Sequence, residues 1–202
     1  MSSSSFRTKA IKQGFPPYIL STEINIILHY ISNPHDRIFI ETLWNTGATI
    51  NEAIILNRKS FTLKSPTPNV KIVNPDFYSS SVKYNEKMSR SRVIPLISKN
   101  YIDQIKLLIA MVNMREHKGV RERIWDIDEI TAISLINNSV KSARLDGINI
   151  SFDITPDSIR NSFAMEMLIL GVEPSIVMTL MGYIDSKRNE VYLNVGRLIQ
   201  SL

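Results

Sequence analysis

The 202-residue chain has no cysteine, only three histidines and only seven glycines. The missing cysteine excludes disulfides, thiolate metal ligands and a cysteine nucleophile. His29, His35 and His117 are scattered with no metal-ligand spacing between them, so no metal and no cofactor is expected. No glycine-rich loop is present to cradle a phosphate. No apolar run approaches the ~18 residues of a membrane-spanning helix. Behind Arg7 and Lys9 there is no apolar stretch of the kind a secretory leader carries. A cytoplasmic protein is the expectation.

Hydrophobic residues make up 44% of the chain, enough for a real core, and nothing suggests general disorder. Lys plus Arg number 24 against 19 for Asp plus Glu, a net charge of +5 that is compatible with a polyanionic partner. The first residues, serine-rich and polar, read as a tail over 1–14, with one domain over 15–202.

Periodicity organises the rest. Ile24, Ile27, Leu28 and Ile31 follow Ser21 at helical spacing, and Asn33-Pro34 ends that helix. A second helix fits Asp36 to Thr46, with Gly47 as its end, and a short third fits Asn51 to Leu56. Three β-prone pieces follow, at Phe61–Lys64, Asn69–Val73 and Arg92–Leu96, with prolines and serines between them. The long link before the third piece is polar and basic, with Lys83, Lys87, Arg90 and Arg92, and with Tyr78 and Tyr84 interleaved. Helices then resume: one capped by Ser98, one started by Asp126 or Asp128, and one opened by Thr155-Pro156, with threonine as N-cap and proline at the first helical position. Shorter helices over Glu173–Leu180 and Lys187–Leu198 complete the chain. The expected fold is α+β, mostly helical, around a small three-stranded antiparallel sheet.

Three boxes carry the functional signal. The first is Leu43-Trp44-Asn45-Thr46-Gly47-Ala48-Thr49-Ile50-Asn51-Glu52-Ala53; the second is Thr155-Pro156-Asp157-Ser158-Ile159-Arg160-Asn161-Ser162-Phe163-Ala164; the third is Leu180-Met181-Gly182-Tyr183, with Glu190-Val191-Tyr192 after it. In this order, around a sheet, they resemble the catalytic domain of the tyrosine recombinase (phage integrase) family, over nearly the whole of Phe15 to Leu198. The family's boxes read L-x-x-T-G-x-R-I-x-E-A, T-P-H-x-x-R-H-S-F-A and L-M/L-G-H, with a tyrosine about nine residues further on.

The resemblance implies a chemistry. A tyrosine hydroxyl attacks a DNA phosphodiester and becomes covalently linked to it. Two arginines stabilise the charge on the phosphate oxygens, histidines support the phosphate and the proton transfers, and a lysine of the β-hairpin protonates the departing oxygen. Carried over residue by residue, the nucleophile position is Tyr192 and the second-box arginine is Arg160. The other positions have changed. Thr49 stands for the first arginine and Asp157 for the second-box histidine, while Asn161 and Tyr183 replace the two later histidines. Threonine has no charge with which to grip a phosphate, and a carboxylate repels one. Lys83 and Lys87 are both candidates for the hairpin lysine. Arg58 is a remote candidate to replace the first arginine.

Each retained residue has a second reading. Tyr192, beside Val191 and Val195, is also a good packing residue. Arg160 is either a phosphate contact or the partner of Asp157 or Glu52. Lys83, Lys87, Arg90 and Arg92 are either DNA contacts or a solvated loop, and Lys118, Arg121 and Arg123 form a second basic cluster. The expectation is a protein that binds double-stranded DNA and has lost strand cleavage. It would act as a transcriptional regulator or architectural factor, on a plasmid or mobile element. The rivals are an active site-specific recombinase with substituted residues, and a subunit that binds another protein and no DNA. The family's N-terminal clamp domain is not expected in this chain. Binding would then draw on a partner protein or on self-association through residues 198–202.

Overall fold

The computed structural model describes residues 3–75, 89–115, 123–150, 153–183 and 187–200. Helix α1 spans Ser3–Lys12, α2 Ser21–His29, α3 Pro34–Thr46 and α4 Ile50–Ile54. A single 3-10 turn at Arg58–Ser60 leads into the sheet of β1 (Phe61–Thr62), β2 (Asn69–Val73) and β3 (Ser91–Pro95), and α5 (Lys99–Arg115) and α6 (Glu129–Leu145) follow. The chain closes with α7 (Pro156–Ile169), α8 (Pro174–Leu180) and α9 (Lys187–Gln200). Mostly helical, with one small antiparallel sheet in the order β1-β2-β3, this is the architecture that the periodicities predict.

Local chemistry sets most boundaries. The Asn33 side chain accepts from the His35 amide and Pro34 sits at the first helical position of α3. The pair expected to end α2 instead begins α3; α2 already stops at His29, with Tyr30 as its C-cap. Asp128, not Asp126, caps α6, taking the Thr131 amide at 2.7 Å. Ser21 is already helical: Leu20 holds the cap position of α2, and Glu23 accepts its amide at 2.7 Å.

The N-terminal stretch differs from the expected tail. Ser3–Lys12 is helical, and Phe6 and Ala10, one turn apart, are buried. Two apolar residues at that spacing suffice to dock a short helix on an existing core, even where its other residues are polar.

Helix α7 lies at the centre. Every residue from Ser158 to Met165, and then Met167 and Leu168, is buried. It packs on α3, α8 and α9. Two hydrogen bonds tie it to the segment before α2: Ser162 Oγ accepts the Ile19 amide at 2.8 Å, and Asn161 Nδ2 donates to the Pro17 carbonyl at 3.0 Å. In the sheet, Ile72 pairs with Arg92 and Val70 with Ile94. Strand alternation puts these four on the core side and sends Lys71 and Val93 outward. Among the described residues, no helix is long and apolar enough to cross a membrane, and no group of three or more histidine or acidic residues could hold a metal ion.

Candidate DNA-phosphate site

The C-terminal end of α3 turns sharply so that the first box can meet the second. Gly47 takes a left-handed conformation, φ 61°, and its amide donates back to Leu43. A Cβ at this position would lie 2.6 Å from Phe163 of α7. The glycine is therefore required twice, by the backbone and by the close approach of the two helices. The Gly47 carbonyl is thereby aimed at Arg160.

Thr49 caps α4. Its hydroxyl accepts the Glu52 amide at 3.2 Å, and its own amide donates to Glu52 Oε2 at 2.8 Å, a reciprocal capping box. That box turns the Glu52 carboxylate inward, where it is 2% exposed. Two guanidiniums converge on it. Arg92 makes a two-pronged contact, Nη1 to Oε1 at 2.5 Å and Nη2 to Oε2 at 2.8 Å. Arg160 reaches Oε2 at 3.4 Å through Nη1, which also donates to Gly47 O, while Nη2 donates to Met181 O at 2.5 Å. Burial alone pushes the Glu52 carboxyl up. The hydrogen bonds and charge of Arg92, the charge of Arg160 and the Thr49 amide outweigh that and hold it below its ordinary 4.5.

The third box closes the site. Gly182 has φ 77°, and a Cβ there would stand 3.2 Å from Arg92 Nη1. The absent side chain is the room in which the Arg92 head lies. The Tyr183 ring sits 5.5 Å from the Arg160 guanidinium carbon, a cation–π contact. The structure thus brings Thr49, Arg160 and Tyr183 to one place, together with Glu52 and Arg92. Asp157 is exposed in the first turn of α7, where its charge suits the helix dipole. Tyr192 on α9 is 2% exposed, its ring 5.5 Å from Phe15.

The basic groups divide. Arg92 is not on a solvated loop: it is 6% exposed and its head is part of the buried cluster. Arg90, at the bend before β3, and Arg58 and Arg123 are exposed. Lys83, Lys87, Tyr78, Tyr84, Lys118 and Arg121 lie outside the described residues. Sequence reasoning gave no central role to Glu52, although the Thr49-x-x-Glu52 spacing is a capping-box signature. It also left Arg92 on the surface. Its inward side could have been read from the alternation Arg92-Val93-Ile94, once Ile94 is taken as core.

A three-stranded sheet set among helices, with the first-box glutamate and the second-box arginine brought together, fits the catalytic domain of a tyrosine recombinase. The chain matches the phage integrase family over residues 17–197 and belongs to it. It is similar to a protein named Resolvase from Escherichia coli (strain K12), 32% identical over 93% of this chain and 75% of that protein. The fold is similar to the crystal structure of XerA recombinase, with TM-score 0.68 and 14% identity over 93% of this chain and 65% of that one. It is also similar to XerH site-specific recombinase bound to difH substrate in a pre-cleavage complex, with TM-score 0.65 and 14% identity over 88% of this chain and 50% of that one.

Proposed function

We propose that the chain binds duplex DNA through this domain and serves site-specific DNA recombination, with slow strand cleavage at Tyr192. The observation that carries this reading is the buried cluster of Arg160, Arg92 and Glu52. It holds two guanidiniums against one carboxylate, a surplus of one positive charge where the three boxes meet. An anion is the natural complement to such a surplus. The solved XerH recombinase, to which the fold is similar, carries a DNA substrate, and the relative at 32% identity is named a resolvase. The reaction slows for a stated reason. Thr49 is neutral, Asp157 is an anion, and loss of one transition-state donor typically costs about 10²–10³ in rate.

A second reading is a silent DNA-binding protein that regulates transcription or shapes DNA, on a plasmid or mobile element. It is favoured by the burial of Tyr192 against Phe15, which keeps the hydroxyl from solvent. One experiment separates the two. The purified chain is mixed with a pool of duplexes of randomised sequence at two salt concentrations, quenched with detergent, and covalently held DNA is counted. The proposal expects salt-sensitive binding and a small covalent fraction that disappears in Tyr192→Phe. Salt-sensitive binding with no covalent fraction supports the silent protein. No salt-sensitive binding at all overturns both and points to a subunit that contacts only protein.

A further inference from the structure

We propose that Arg92, on β3, is the second phosphate-directed cation of this site and supplies the charge that the neutral Thr49 does not. The inference rests on the DNA-binding reading above and assigns Arg92 a specific part in it. Four observations carry it. The Ile72–Arg92 and Val70–Ile94 pairing turns Arg92 to the inner face of the sheet. There its head joins Thr49 and Arg160 through one shared carboxylate, Glu52. Gly182, the glycine of the third box, leaves a space that the Arg92 head occupies, and the neighbouring Met181 carbonyl holds Arg160. Arg92 therefore sits where the first and third boxes meet, the place a missing first-box cation has to be replaced.

The fourth observation points to a ligand. The Arg92 side chain is 3% exposed, and its Nε has no hydrogen-bond partner among the described residues. A buried N–H without an acceptor costs free energy unless something fills the position. Each Nη already gives one N–H to Glu52, and the Nε–H is the donor on this cation that is buried without an acceptor. The chemical group that best completes it is an anionic oxygen, and in a DNA-binding site that is a non-bridging oxygen of a phosphodiester. Glu52 then keeps two like-charged guanidiniums together between binding events.

The test uses the full chain and a non-specific 24-base-pair duplex as probe, with affinity measured across a range of salt concentrations. A cation that neutralises one phosphate contributes about 0.9 to the slope of log affinity against log salt. R92Q is expected to bind more weakly and to lose about that much of the slope. T49R/R92Q, with the cation restored on the other side of Glu52, is expected to recover both. Circular dichroism establishes that each variant is folded. Where R92Q fails to fold, E52Q/R92Q removes both partners together, and the same loss of slope is expected of it. A folded variant with the slope of the parent, or a T49R/R92Q that recovers nothing, overturns the proposal and leaves Arg92 as a structural counter-ion. A parent chain without salt-sensitive binding overturns the DNA-binding reading instead.

Discussion

Replacing Glu52 by alanine removes the hub of the site and is the sharpest test of its energetics. The carboxylate is 2% exposed, accepts from both Arg92 and Arg160, and closes the capping box of α4. Breaking a buried ion pair costs about 3–5 kcal/mol, because the partner charge is stranded. Loss of the reciprocal cap adds about 1 kcal/mol. Together these give a loss of about 4–6 kcal/mol, a large share of the ~5–15 kcal/mol that holds a domain folded. At about 2–4 °C per kcal/mol for a chain of this size, the melting midpoint falls by roughly 8–24 °C. Urea denaturation followed by circular dichroism measures the free-energy loss and a thermal melt the midpoint, with E52Q alongside, which keeps the shape and an acceptor oxygen and loses less. The sign of the pH dependence follows from the same cluster. The Glu52 carboxyl is held below 4.5, so its stabilisation is complete above that value and is lost as the pH falls further. Wild type loses this component on acidification, and E52Q lacks it at every pH. A loss below ~1 kcal/mol in Glu52→Ala, the scale of an exposed pair, would refute the reasoning.

Ser162→Ala leaves the Ile19 amide without its acceptor and is expected to lower stability by about 1–3 kcal/mol in the same urea assay. Gly47→Ala meets both a left-handed backbone and the Phe163 ring at 2.6 Å. A loss of about 2–4 kcal/mol is expected from it, read as a lower melting midpoint. Tyr192→Phe should abolish covalent DNA capture while changing stability by no more than about 1 kcal/mol. Asp157→His takes a carboxylate from the exposed first turn of α7. It is expected to tighten DNA binding by roughly 3- to 10-fold at low salt, measured by fluorescence anisotropy.

Much of this was legible because it is written in neighbouring residues. Thr155-Pro156 announces the start of α7, whereas Asn33-Pro34, read as the end of one helix, is the start of the next. The box that holds Gly47, Thr49 and Glu52 encodes its own turn and cap. What stayed hidden depends on residues far apart in sequence. The burial of Arg92 needs the register of β2 against β3 as well as the glycine at 182. That Tyr192 packs was readable from Val191 and Val195, but its contact with Phe15, from the other end of the chain, was not. Helix α1 escaped because its local pattern is mostly polar and only its docking, through Phe6 and Ala10, gives it a reason to be helical.

The two hydrogen bonds from α7 to Pro17 and Ile19 have a mechanical consequence. They make the segment before α2 a short tether on the helix that carries Arg160. Any body attached ahead of Phe15 is thereby coupled, within a few residues, to the arginine cluster, and on the other side through the Phe15 ring to Tyr192. A pull or twist applied there would reach the arginine cluster and Tyr192 at once. A fusion partner or surface anchor placed at this end reports on, and disturbs, the geometry of the arginine cluster and of Tyr192, whereas one placed after the exposed Asp146–Gly147 turn does not share that path.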